Sequence, residues 1–333
     1  MSAMVLMGLL TITMFLPIFE DFGDQDEDVD PANPAEPVEP GSVLEGTAGP
    51  DELSAGGNDT LNGGAGDDVL GVEANANGAE VNGGDGNDTL TGGGVFSTLN
   101  GDAGVDVLSD AGAEGAVLNG GEGGDIIELT GTGNITNGDS GQDVITLAGG
   151  NTANGGDGDD TITASGGADG AIAVLNGGGG EDVLIEGTSD SGAPLVFQAN
   201  GGAGNDTLQV QLDLAGQVDE TTDVLSGGTR GDTFMLDLIS GEGTEEGLIT
   251  GVRITDFDPE EDTLIIDTAN IDGQDTDPPA FTFGDYTLNE AANASYTDVL
   301  IDAVQLIGGA QSVVTVRLLG VSGIDTADIT LLA

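Results

Sequence analysis

The sequence predicts an all-β chain: a parallel β-roll, or solenoid, closed by a β-rich C-terminal cap. Three observations carry that prediction. Nine glycine-rich loops ending in aspartate recur between Gly63 and Asp232. An apolar residue stands two positions after each of those aspartates. Beyond residue 235 the loops give way to alternating, β-branched segments. A unit this short cannot bury its apolar face alone, so neighbouring units must stack, which is the logic of a solenoid.

The clearest copies are NGGAGDDVL (62–70), NGGDGNDTL (82–90), NGGDGDDTI (154–162) and NGGAGNDTL (200–208). Looser copies are NGDAGVDVL (100–108), NGGEGGDII (119–127), NGDSGQDVI (137–145), NGGGGEDVL (176–184) and SGGTRGDTF (226–234). Their closing aspartates are Asp68, Asp88, Asp106, Asp125, Asp143, Asp160, Asp182, Asp206 and Asp232, separated by 20, 18, 19, 18, 17, 22, 24 and 26 residues. A nine-residue unit supplies one loop and one short strand, so eighteen residues make a full turn and stack consecutive loops on one edge. The half-turns between them, such as TGGGVFSTL (91–99) and DAGAEGAVL (110–118), lack the aspartate, so the other edge is expected to be bare. Asp59 begins a partial copy on that far edge.

Two further columns follow from the same period. Leu70, Leu90, Leu108, Ile127, Ile145, Ile162, Leu184, Leu208 and Phe234 are expected to line a narrow core. Asn62, Asn82, Asn100, Asn119, Asn137, Asn154, Asn176 and Asn200 each precede a loop and are expected to stack.

The G-G-x-G-x-D-x-U-x pattern of these loops resembles the RTX (repeat-in-toxin) family of secreted bacterial proteins, over roughly residues 54–234. GDTFML followed by ITDFDPEEDTLII resembles the passage from RTX repeats to a C-terminal part. VTVRLLGVSGIDTADITLLA resembles the C-terminal signals of type I secretion substrates. The resemblance implies a right-handed roll in which calcium is shared between successive loops through the closing aspartates and main-chain carbonyls. Carried over, it makes the nine aspartates named above metal ligands, with at most about eight Ca²⁺ ions in the ladder. Asp102 and Asp139 depart from the pattern at the second glycine. Arg230 replaces a loop glycine beside the last aspartate.

Charge supports a metal independently. The chain carries 61 acidic residues against three arginines, a formal net charge of −58, and has no histidine or cysteine. Carboxylates stacked one strand spacing apart, ~4.8 Å, would repel by roughly 3.5 kcal/mol per pair at an effective dielectric near 20. Aspartate and carbonyl oxygens are hard donors, which suits Ca²⁺ better than the water-retaining Mg²⁺.

The same composition excludes much else. Nucleic acid and anionic membrane surfaces need Lys and Arg. A Ser-His-Asp triad, a cysteine nucleophile, a His/Cys zinc site and a P-loop all lack their residues.

Four regions are expected: an apolar N-terminal segment (1–20), an acidic, proline-rich linker (21–50), the β-roll (51–235) and the β-rich cap or secretion region (236–333). Residues 3–19 would form a short apolar helix, with a membrane anchor, an atypical signal peptide and a buried helix all open. PANPAEPVEP repeats proline every third residue, the period of a polyproline II spacer. Strands are expected at 252–257, 263–267, 281–288, 296–304, 312–321 and 327–333.

The functional expectation is an extracellular or cell-surface calcium-binding protein, not an enzyme, that folds on Ca²⁺ after export. Its role would be structural or adhesive, with cell-surface polysaccharide or matrix as the candidate partner. The alternative is a polysaccharide-acting enzyme, or the secretion module of a larger enzyme system.

Overall fold

The computed structural model describes residues 41–73, 76–148, 150–166, 171–187, 196–213, 223–239, 247–267, 281–290, 296–305, 311–319 and 329–332. The apolar segment 3–19 and the proline-rich stretch 31–40 lie outside these residues. Among the described residues there is no helix; all regular structure is β-strand.

The chain alternates between two sheets. The first takes Val43–Glu45, Thr60–Ala65, Glu80–Asp85 and Thr98–Ala103, and the second takes Glu52–Ala55, Val69–Val72, Thr89–Gly92 and Val107–Glu114. This continues to fourteen strands in one sheet and twelve in the other among the described residues. Each strand of the roll pairs in parallel with the one a full turn later. The result is the parallel β-solenoid that the repeats predict.

Register follows the sequence period. In the second sheet Leu70 pairs with Leu90, Leu90 with Leu108, and the column runs on through Ile127, Ile145, Ile162, Leu184, Leu208 and Phe234. All of these are fully buried. They face a second buried column in the first sheet that includes Leu61, Val81, Leu99, Leu118, Leu175 and Leu225. Strand burial alternates residue by residue, as a half-buried strand requires. Small residues such as Ala153 and Ala164 keep the middle of the roll thin. Toward the C-terminal end Phe197, Phe234 and Phe257 fill a wider core, with the Phe234 and Phe257 rings 6.0 Å apart.

The parallel pairing begins at Val43 and continues past residue 235. Gly247–Ile254 extends the first sheet, while Thr263–Asp267 and Ile329–Leu332 extend the second. Gln311–Leu319 then pairs in parallel with Gly247–Ile254 on one side and antiparallel with Tyr296–Gln305 on the other. Phe281–Glu290 completes an antiparallel meander. Each of the six C-terminal segments predicted as strands contains a strand, the first ending at Ile254 rather than at 257.

Outside the roll, the first sheet carries the asparagine column. Nδ2 of Asn82 donates to Oδ1 of Asn62 at 2.8 Å, and the relation repeats for Asn100, Asn119, Asn137, Asn154 and Asn176. Each side chain bridges to the turn before it, which pins the strand register.

Candidate metal centre

Each aspartate-bearing turn joins a first-sheet strand to a second-sheet strand. Between Thr60–Ala65 and Val69–Val72 only Gly66, Asp67 and Asp68 intervene. Gly64 and Gly66 adopt positive φ, 109° and 118°, so the chain reverses with backbone angles that suit glycine. Asp102 and Asp139 take φ of 71° in the place of Gly64, and Arg230 takes 87° in the place of Gly66. The turn geometry therefore holds in the irregular copies.

All nine predicted aspartates fall on one edge in one column, each at most 2 % exposed. The amide N–H of Asp68 donates to Oδ1 of Asp88 at 2.7 Å. The same bond joins Asp88 to Asp106, Asp106 to Asp125, Asp125 to Asp143, and so on to Asp232. One carboxylate oxygen thus caps the preceding turn.

The column is longer than the sequence pattern suggested. Asp51 precedes it, its amide donating to Asp68 Oδ1 at 2.8 Å. Asp262 follows it, accepting from the Asp232 amide at 2.8 Å. GTAGPDEL (46–53) keeps the glycine, aspartate and leucine spacing seventeen residues before Asp68, so Asp51 was discoverable. Asp262 sits thirty residues after Asp232 in DPEED, where only the following TLI hints at a repeat.

The second oxygen separates interior rungs from the ends. Asp51 Oδ2 accepts from the Thr47 amide at 2.5 Å, and Asp262 Oδ2 from the Asp258 amide at 2.7 Å. By contrast, Oδ2 of Asp68, Asp88, Asp106, Asp125, Asp143, Asp160, Asp182 and Asp206 is buried without a hydrogen-bond partner. Each of these points at the glycine that opens its own turn. A Cβ placed on Gly120 would strike both Asp125 Oδ2 and the carbonyl oxygen of Gly138 on the next turn, and the same holds at Gly63, Gly83, Gly101, Gly138, Gly155, Gly177 and Gly201. Eight interior carboxylate oxygens therefore share a glycine-floored cradle with a carbonyl oxygen.

Two acceptor oxygens cannot hydrogen-bond each other, so the cradle needs a proton or a cation. Burial raises the carboxyl pKa of Asp88, Asp125, Asp206 and Asp232 to about 6, and of Asp160 to about 7. Neighbouring carboxylates push in the same direction, and the backbone amide bond pulls back. Burial outweighs mutual repulsion here, whereas the sequence argument had rested on repulsion. Asp106, Asp143 and Asp182 are raised for the same leading reason.

The donor set fits a hard cation. It mixes carboxylate with main-chain carbonyl, and among the described residues no group of three acidic side chains converges by itself. Such an all-oxygen set, with adaptable carbonyls, is what Ca²⁺ accepts. Four stretches of the chain, residues 42–70, 82–109, 145–184 and 198–209, match the RTX calcium-binding nonapeptide repeat. The chain carries RTX calcium-binding repeats. The matched stretches take in Asp51, Asp68, Asp88, Asp106, Asp160, Asp182 and Asp206 of the column just described, while Asp125, Asp143, Asp232 and Asp262 lie outside them. No curated protein matches the chain.

The far edge of the RTX roll closes its turns with other residues. Asp59 accepts from the amides of Gly41, Ser42 and Gly56. Asn134 Oδ1 caps the Ala116 amide at 2.8 Å, and Asn151 Oδ1 caps the Asn134 amide at 3.0 Å. These asparagines perform the aspartate's capping role without its charge, a relation hidden from a search for aspartate.

Proposed function

We propose that the protein is an extracellular or cell-surface calcium-binding β-roll that acquires its compact form on meeting calcium outside the cell. The carrying observation is the set of eight buried Oδ2 atoms, each beside a carbonyl oxygen and none with a donor. Asp68, Asp88, Asp106, Asp125, Asp143, Asp160, Asp182 and Asp206 would hold the ions, with Asp232 at the C-terminal end of the series. Bound Ca²⁺ would supply the positive charge that three arginines cannot.

The free energy of filling such sites is folding free energy, because an unfolded chain presents no preformed cradle. Extracellular calcium modules bind at about 10⁻⁴–10⁻³ M. At that affinity the chain would stay expanded where calcium is scarce and fold where it is abundant. A structural or adhesive role, with polysaccharide or matrix as partner, agrees with a chain that lacks histidine, cysteine and lysine and so the common nucleophile–base pairs. Among the described residues no helix is long and apolar enough to cross a membrane.

The test compares hydrodynamic radius and far-UV circular dichroism in EGTA and in millimolar calcium. The expected result is a contraction and a gain of β signal on calcium addition. An identical radius and spectrum in both would overturn the proposal.

A further inference from the structure

Acidic side chains also lie buried away from the ladder, and one of them has no hydrogen-bond partner at either carboxylate oxygen. Asp110, on Val107–Glu114, is 1 % exposed, and neither of its carboxylate oxygens meets a hydrogen-bond partner. In register it pairs with Gly92 on one side and Leu129 on the other, and the column continues through Leu147 and Ala164 to Glu186. The two acids of this column differ. Glu186 accepts from the Gln211 amide at 3.1 Å, whereas Asp110 accepts from nothing.

A second orphan stands at the same end of the roll. Ser97 is wholly buried and its Oγ lacks a partner. Gly92 opens the far-edge turn that Ser97 closes, five residues on, the same spacing as Gly63 to Asp68 on the ladder edge. On the ladder edge the closing aspartate reaches back to the opening glycine. On the far edge the closing residue is only a serine, and the carboxylate at the opening glycine comes from the next turn: a Cβ on Gly92 would strike Asp110 Oδ2. Asp110 therefore delivers a carboxylate to the matching cradle of the opposite edge.

The surroundings are small residues and main-chain carbonyls, and they exclude solvent. The closing positions one turn before and after Ser97 are Ala79 and Ala116, both buried and small. The Phe96 ring lies against Gly115, across the mouth between the two turns. Carbonyl oxygens of Val72 and Glu73 crowd Gly93, next to Gly92, as the Gly64 carbonyl crowds Gly84 on the ladder edge.

We propose that Asp110 and Ser97 Oγ, with carbonyls of the adjoining turns, form a single additional calcium site inside the far edge, outside the repeat motif. The proposal rests on reading the ladder as a calcium binder. The ionised Asp110 carboxylate meets no donor from the protein, so its buried charge has no compensation there. A cation with an affinity for hard oxygens meets that need at two carboxylate oxygens and a hydroxyl together.

The experiment counts bound calcium per full-length chain by equilibrium dialysis and elemental analysis, for the wild type and for D110N, D110L, S97A and D125N. Both Asp110 variants should bind one ion fewer. D110L, which continues the Leu129–Leu147 column, should melt higher than wild type in EGTA, so a lost ion cannot be ascribed to misfolding. S97A should keep the count and weaken the last ion to bind. An unchanged count in D110N and D110L beside a reduced count in D125N overturns this site and leaves the ladder standing, with Asp110 then satisfied by buried water. An unchanged count in D125N as well overturns the ladder, and this site with it.

Discussion

The amide of Asp106 donates to Oδ1 of Asp125 at 2.7 Å, while Oδ2 of the same carboxylate lies buried and partnerless against the opening glycine of its turn. One side chain therefore does two separable jobs. It closes the turn before it in any condition, and it offers a metal ligand only through its other oxygen.

Substitution should separate those jobs. Asp125→Asn keeps an oxygen for the Asp106 amide, as Asn134 and Asn151 do on the far edge. It should raise the melting temperature in EGTA and lower it in saturating calcium. Asp125→Ala removes the cap as well and should lose a further ~1–3 kcal/mol in both conditions, the cost of stranding a buried amide. Thermal melts of both variants with and without calcium check this; equal behaviour of D125N in the two buffers would contradict it.

Acidity should substitute for calcium. Burial lifts the carboxyls of Asp88, Asp125, Asp206 and Asp232 to about 6 and that of Asp160 to about 7, above the ordinary aspartate value of about 3.9. A folded state that holds its protons more tightly than the unfolded state is favoured at low pH. That stability is fully present below about pH 4 and is lost as the pH rises through about 6 to 7. The melting temperature in EGTA should therefore climb as the pH falls from 8 to 5, and calcium binding near pH 6 should release protons. A flat profile in EGTA would show that the buried oxygens are not titrating. Neutralising Asp160, the most raised of the series, should flatten the slope more than neutralising exposed Asp85.

Filling one cradle should remove it. Gly120 does not take a positive φ, so Gly120→Ala leaves the backbone at ease while its Cβ collides with Asp125 Oδ2 and the Gly138 carbonyl. Overpacking of this kind costs roughly 1–3 kcal/mol. The calcium midpoint for folding should move to higher concentration. Gly71→Ala, where an added Cβ meets nothing, is the control and should leave the midpoint in place.

The asparagine column should act on stability alone. Asn137 donates to Asn119 and accepts from Asn154, so Asn137→Ala breaks two side-chain bonds. Each is worth about 0.5–1.5 kcal/mol. The melting temperature should fall with calcium stoichiometry unchanged; a lost ion would show that the column reaches the metal.

Much of this was legible from spacing. A gap near eighteen placed Leu90 over Leu70 and Asn82 over Asn62, because each side chain in a parallel solenoid meets its counterpart one turn away. Longer gaps after Asp160 did not disturb the aspartate column, since the strands on either side of it keep their register from turn to turn. What escaped notice were the roles that do not repeat. Asp51 follows a proline and Asp262 hides among acids, so their loops read as ordinary turns. Asp110 pairs in register with Gly92 and Leu129, and although alternation from Leu108 turns it inward, no acid recurs at that position on the turns beside it. Asn134 and Asn151 supply the capping oxygen through an amide, which a pattern of charges passes over.

Because each interior aspartate of the ladder accepts only from the turn immediately before it, the roll has a natural unit of length. Removing residues 126–143 would bring Asp125 directly before Val144, the partner of Ile126 in register, and the fresh seam would match every seam beside it. The fold can thus be shortened or extended in whole turns, like a zip cut between teeth, with no redesign of either end.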